Sequence, residues 1–173
     1  LRRMHLVLIS GLSGSGKSIA LNVLEDAGYY CVDNLPSLLL QQLVGQLDQQ
    51  GYSKVAVAID IRGGESVTML PQQLDALRAN DLDLQLLFLD AKDETLLKRF
   101  SETRRRHPLA SDDRTLSEAI VEERVRLEAL VELGHHLDTS DVRPNTLREW
   151  VRQFIAAEPG RGLTLLFESF GFK

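Results

Sequence analysis

Short apolar runs rich in β-branched residues alternate with amphipathic stretches from one end of the chain to the other. The runs at 6–10, 29–34, 54–61, 84–91, 136–140 and 163–169 are apolar at nearly every position, not at every second one. That pattern suits strands covered on both faces, as in a parallel sheet. The segments between them, at 17–27, 36–50, 67–80, 93–106, 115–133 and 144–157, carry helical spacing. In the last of these Leu147, Trp150, Val151, Phe154 and Ile155 share one face behind a helix start at Pro144. The turn Pro159-Gly160-Arg161-Gly162 precedes the final strand. Regular alternation of strand and helix predicts an α/β fold, a doubly wound parallel sheet with helices on both faces and right-handed crossovers.

Composition narrows the organisation. A chain of 173 residues, 43% hydrophobic and 26% charged, builds one well-packed domain. That domain is expected over 4–173, with residues 1–3 an extension ahead of Met4. The net charge is −5, with 25 acids against 20 bases, so bulk nucleic-acid binding is disfavoured and any basic site is local. Cys31 is the one cysteine, which excludes an internal disulfide and fits a reducing compartment. No apolar run approaches the roughly 18 residues of a membrane span. A cytoplasmic protein with no membrane partner is expected.

The sharpest chemical signal is Gly11-Leu12-Ser13-Gly14-Ser15-Gly16-Lys17-Ser18. It satisfies the Walker A pattern and lies where that pattern works, after an apolar strand and at the head of a helix. Its glycines let backbone N–H groups point inward at phosphate oxygens, and the helix N-terminus adds partial positive charge. Lys17 is expected to reach the β- and γ-phosphates, and Ser18 to offer its hydroxyl to Mg²⁺. The fold class therefore sharpens to a P-loop NTPase with a kinase-like parallel sheet. A second hard oxygen ligand for Mg²⁺ is expected at a strand end, where ligands of open α/β sheets bind. Asp60, after Val55-Ala56-Val57-Ala58-Ile59, is the first choice, and Asp90, after Leu86-Leu87-Phe88-Leu89, the second.

Other polar residues are open to more than one reading. In Cys31-Val32-Asp33-Asn34-Leu35-Pro36, either Asp33 or Asn34 caps a helix starting there, or Asp33 acts as a general base for a hydroxyl acceptor. Lys98, Arg99, Arg104, Arg105, Arg106 and His107 form a solvated basic helix end, a lid, or, through the three consecutive arginines, a grip on an RNA phosphate. In the lid an arginine, Arg104 being our candidate, would neutralise charge developing during phosphoryl transfer. His135 and His136 read as packing residues, because neither has partners at metal-ligand spacing. Glu118, Glu122, Glu123 and Glu128, interleaved with Arg124 and Arg126, read as a solvated helix face.

Several strings together resemble one family, the bacterial RapZ proteins, which are P-loop nucleotide-binding RNase adaptors. They are the loop at 10–18, Gly28-Tyr29-Tyr30-Cys31-Val32-Asp33-Asn34-Leu35-Pro36, Leu87-Phe88-Leu89-Asp90-Ala91 and Thr103-Arg104-Arg105-Arg106-His107-Pro108-Leu109. Asp138-Thr139-Ser140 and Phe167-Glu168-Ser169-Phe170-Gly171-Phe172-Lys173 complete the match. The resemblance implies binding of ATP and GTP with slow hydrolysis, and control of small RNAs of amino-sugar synthesis. It places ATP on the residues from Gly11 to Ser18 and GTP on Asp60, Ile61, Arg62 and Gly63. Family members continue into a C-terminal domain that carries most RNA and RNase contacts, and that domain is expected to be absent from this chain. A regulatory binding module is thus favoured, with a small-molecule kinase phosphorylating a hydroxyl near Asp33 as the alternative. A homo-oligomer is left open.

Overall fold

A computed structural model describes residues 3–60, 62, 68–103 and 106–156. Within them five parallel strands, β1 (His5–Gly11), β2 (Tyr30–Pro36), β3 (Lys54–Asp60), β4 (Asp83–Asp90) and β5 (His135–Asp138), form one sheet in the order β2-β3-β1-β4-β5. The helices are α1 (Lys17–Asp26), α2 (Leu40–Gln49), α3 (Leu70–Ala79), α4 (Asp93–Thr103), α5 (Leu116–Leu127) and α6 (Pro144–Ala156). The expected final strand at 163–169 lies outside the described residues.

The near-continuous apolar strands are explained by two cores. Successive side chains of a strand point to opposite faces. Leu6, Leu8, Val55, Val57, Ile59, Leu86 and Phe88 pack with buried residues of α2, α3 and α5. Val7, Ile9, Ala56, Ala58, Leu87, Leu89 and Leu137 pack on the other face with α1 and α6. Leu147, Val151 and Phe154 of α6 are buried there, as the helical spacing requires. Each such side chain contributes about 1.5–3 kcal/mol by leaving water.

Two boundaries differ from the sequence expectation, each for a local reason. The helix expected from 36 begins at Leu40, behind a short 3-10 turn at Ser37–Leu39, and has no side-chain cap. The chain instead stays in β2 through Pro36, because Leu35 pairs with Ile59 and Pro36 with Asp60 across a register shift. Proline is admissible because β2 lies at the sheet edge. The helix expected over 115–133 stops at Leu127 and continues as a 3-10 turn, Glu128–Leu130. Its start is set by a capping box: the Thr115 hydroxyl accepts the Glu118 N–H at 3.1 Å while the Glu118 carboxylate accepts from Thr115.

Candidate functional site

β1 lies in the middle of the sheet, so the loop that follows it emerges at the centre of the C-terminal edge. Gly11 passes so close to β4 that a Cβ would stand 2.1 Å from the Leu89 carbonyl oxygen. The Leu12 N–H donates to that same oxygen at 3.1 Å. Ser15 folds the loop back by donating its N–H and its hydroxyl to the Leu12 carbonyl, at 3.0 and 2.5 Å. Gly16 takes φ 110° as the N-cap of α1 and leaves the first helical N–H groups without a side-chain cap. No acid lies in that first turn, while Lys17 and the exposed Ser18 do. Uncapped amides, a helix dipole and a lysine together suit an anion, and phosphate oxygens in particular.

Distant elements brace the loop. Arg99 of α4 donates to the Gly14 carbonyl at 2.8 Å and to the Thr139 carbonyl, and the Thr139 hydroxyl donates to the Ser15 carbonyl at 2.6 Å. A further brace comes from α5, where Glu123 accepts the Ser13 N–H at 2.8 Å and the Ser13 hydroxyl at 2.6 Å. The same carboxylate accepts from His107 Nε2 at 3.1 Å.

Electrostatics separate the aspartates. Burial lowers the affinity of the Lys17 ammonium for its proton, opposed by the charges of Glu123, Asp33 and Asp60. Asp60 thus belongs to the electrostatic surroundings of Lys17. It closes β3 two residues after Ala58, so it takes the face of Ala56 and Ala58, the face covered by α1. Its carboxyl would be raised by burial, but hydrogen bonds and charge from Arg62, with the Lys17 charge, hold it below the usual range. Arg62 reaches it at 3.0 Å. Asp90 takes the opposite face, with Leu86 and Phe88, and is occupied there. It accepts from the Ala91 N–H at 2.7 Å, Arg124 at 3.0 Å and His136 at 3.2 Å, partners that hold it below the usual carboxylate range despite burial. Asp90 is therefore a structural anion tying β4 to α5 and β5. Among the described residues no group of three or more His, Cys, Asp or Glu side chains could by itself hold a metal ion, so a metal here would need oxygens from a ligand as well.

The remaining candidates divide as follows. Asp33 is exposed in the irregular part of β2, where it accepts the Asn34 N–H at 2.8 Å and Asn34 adopts φ 53°. Neither residue caps α2, which corrects the capping reading. Arg104, Arg105, Ile61 and Gly63 lie outside the described residues. Arg99 grips the loop backbone, so it is neither a solvated basic face nor a free lid group. His136 pairs with Asp90 in addition to stacking on Phe88. The largest correction concerns α5: Glu123 is fully buried, and Arg124 is ion-paired to Asp90 and Asp93. The helical spacing does carry the signal for Glu123, which shares the buried stripe of Ala119, Ile120 and Leu127.

Solved structures with little sequence in common superpose on this chain. A shikimate kinase from Bacteroides thetaiotaomicron superposes with TM-score 0.59 at 12% identity, covering 89% of this chain and 99% of that one. A gluconokinase from Sinorhizobium meliloti 1021 gives 0.54 at 17%, covering 98% and 97%. The fold is that of the P-loop kinases. Closer in sequence is the "Nucleotide-binding protein" of Dechloromonas aromatica, 61% identical over 170 residues, which are 98% of this chain and 60% of the relative. One of the same description from Chromobacterium violaceum is 53% identical over 170 residues, again 98% of this chain and 60% of the relative. The chain thus spans about 60% of the length of these curated relatives. A family model, the RapZ-like N-terminal domain, matches residues 4–159, which include the phosphate loop and all its braces. With strand order, loop and family model in agreement, the chain belongs to the RapZ-like N-terminal domain family.

Proposed function

We propose that this chain is a nucleoside-triphosphate-binding domain, slow in hydrolysis, whose bound ATP or GTP acts as a signal within a longer RNase adaptor protein. The observation that carries the reading is the head of α1, with its amides uncapped, no acid in its first turn, and Lys17 and Ser18 beside them. Lys17 would meet the β- and γ-phosphates, and Ser18 and Asp60 would hold Mg²⁺. That ion would neutralise phosphate charge. Asp60 suits it better than Asp90, because Asp60 shares the face of α1 and acts on Lys17, whereas Asp90 is committed to Arg124 and His136. The names of the relatives support nucleotide binding. RNA and the RNase would engage mainly the part of the longer protein that lies beyond this domain, in the cytoplasm.

A second reading, transfer of the γ-phosphate to a small hydroxyl acceptor, is favoured by one observation. Asp33 is exposed in the irregular middle of β2, and its charge acts on Lys17. The two readings separate when the protein is incubated with labelled ATP or GTP, Mg²⁺ and a panel of small metabolites. Slow release of inorganic phosphate is expected. A phosphorylated metabolite formed above roughly 1 per second would establish the kinase instead. Lys17→Ala should lose most nucleotide affinity in a calorimetric titration with its circular dichroism unchanged, and undiminished binding would remove the site.

A further inference from the structure

Thr139, the residue that follows β5, is 1% exposed although its side chain is polar. Its own backbone fixes its place, since the Thr139 N–H donates to the carbonyl of Asp90, the last residue of β4, at 2.8 Å. The hydroxyl then has three polar neighbours with different roles. Arg99 Nη1 donates to it at 3.2 Å and occupies a lone pair. The carbonyl oxygens of Ser15 and Asp90 stand at 2.6 and 3.2 Å, and the nearer takes the single hydroxyl proton. The bond from Thr139 to Ser15 is therefore directional, with its donor at the end of β5 and its acceptor in the phosphate loop.

A trans peptide is planar, so its C=O and its N–H point to opposite sides. A carbonyl gripped from behind thus aims the next residue's N–H forward. Arg99 holds the Gly14 carbonyl at 2.8 Å, and the N–H of that plane, from Ser15, donates to the Leu12 carbonyl and closes the loop on itself. Thr139 holds the plane after it. The N–H of this second plane belongs to Gly16, the N-cap of α1, and among the described residues no group accepts it. Gly16 has φ 110° and no side chain to restrain it, so the grip on the Ser15 carbonyl is what fixes the plane.

We propose that Thr139 is a positioning residue of the phosphate site: its hydroxyl, oriented by Arg99, holds the Ser15 carbonyl outward and so aims the Gly16 N–H at a phosphate oxygen. The inference rests on the nucleotide reading above. Thr139 lies behind the loop and touches no ligand itself, so its whole effect passes through one peptide plane.

The test is calorimetric titration of the full chain with a non-hydrolysable ATP analogue and Mg²⁺, beside urea unfolding, on wild type, Thr139→Val, Thr139→Ser, Thr139→Ala and Leu137→Ala. Thr139→Val keeps the shape, removes the hydroxyl, and should bind about tenfold more weakly or worse, the scale of one hydrogen bond to a charged group. Thr139→Ser loses a methyl but keeps the hydroxyl, and should bind nearly as wild type does. Thr139→Ala differs from Thr139→Ser by the hydroxyl alone and should repeat the loss. Leu137→Ala, a core change on β5, should lower the urea midpoint and leave the affinity in place, which separates instability from the effect of the hydroxyl. Thr139→Val binding as tightly as wild type, or Thr139→Ala as tightly as Thr139→Ser, overturns the proposal. A loss in Leu137→Ala as large as that in Thr139→Val does the same. Should the variants without the hydroxyl not fold, ¹⁵N-labelled wild type decides. Its Gly16 amide proton should move downfield when the analogue is added, as a donor gaining a charged acceptor does, and an unmoved signal overturns the proposal. No binding by wild type would sink the nucleotide reading itself, an outcome distinct from the others.

Discussion

Gly16→Ala tests how tightly the loop is built. Gly16 has φ 110°, and an added Cβ would stand 2.5 Å from Leu147 Cδ2 on α6. A left-handed backbone costs an ordinary L-residue about 1–2 kcal/mol. The methyl contact is about 1–1.5 Å inside an ordinary carbon–carbon separation of about 3.5–4.0 Å, and overpacking of this kind costs about 1–3 kcal/mol. Leu147 is 3% exposed and packed into the core between α1 and α6, so it cannot simply swing into solvent. The sum is a loss of about 2–5 kcal/mol. Urea unfolding of Gly16→Ala, Leu147→Ala and the double variant reads the two components. Leu147→Ala alone leaves a cavity costing about 2–5 kcal/mol. In the double variant the added methyl enters that cavity, so the losses should fall short of additive by about 1 kcal/mol or more. Nucleotide affinity should drop in both variants carrying the Gly16→Ala change, since the backbone conformation at the helix head alters whether or not the methyl has room. A Gly16→Ala protein within 0.5 kcal/mol of wild type, or strictly additive losses, would refute this account of the loop.

Two further predictions concern charge. Because Lys17 holds its proton less tightly in the folded chain than at its ordinary value of 10.5, the unfolded state binds more protons between the lowered value and 10.5. Stability should therefore rise with pH across that window, and Lys17→Met should abolish the rise in urea midpoints; the same slope in both proteins would contradict the burial of the ammonium. Asp60→Asn and Asp90→Asn should part company. The first should lose the Mg²⁺-dependent share of ATP affinity, measured with and without chelator, at little cost to folding. The second should keep that share but lose about 1–3 kcal/mol of stability by breaking the pairs with Arg124 and His136. Asp90 is depressed below 3.8, so its stabilisation is present above that value and fades as pH falls through the lowered one. Asp90→Asn should accordingly flatten the acid limb of the stability profile, and an unchanged limb would remove Asp90 from the structural network.

What the sequence reveals about this site follows the distance over which each contact is made. The loop from Gly11 to Ser18 is legible because its conformational demands fall on neighbouring residues, glycines with left-handed backbone and a lysine at a helix head. Asp60 and Asp90 look alike in sequence, both closing an apolar run. Strand parity separates them, and parity can be counted along a strand once its pairing is known. Glu123 was obscured because its neighbours Glu122, Arg124 and Arg126 read as a solvated face, and its partner Ser13 is 110 residues away. The basic segment misled for the same reason, since Arg99 serves the Gly14 carbonyl 85 residues away. These distant contacts share one target. Arg99 and Thr139 grip the carbonyls of Gly14 and Ser15, while Glu123 holds both donors of Ser13. Three consecutive residues of a glycine-rich loop, which would otherwise forfeit the most conformational entropy on binding, are thus ordered by the fold itself. A ligand then gains its contacts without ordering the loop. If bound nucleotide is a signal, the structural change it causes should lie beyond the braced loop, in elements that contact the nucleotide without holding residues 13–15.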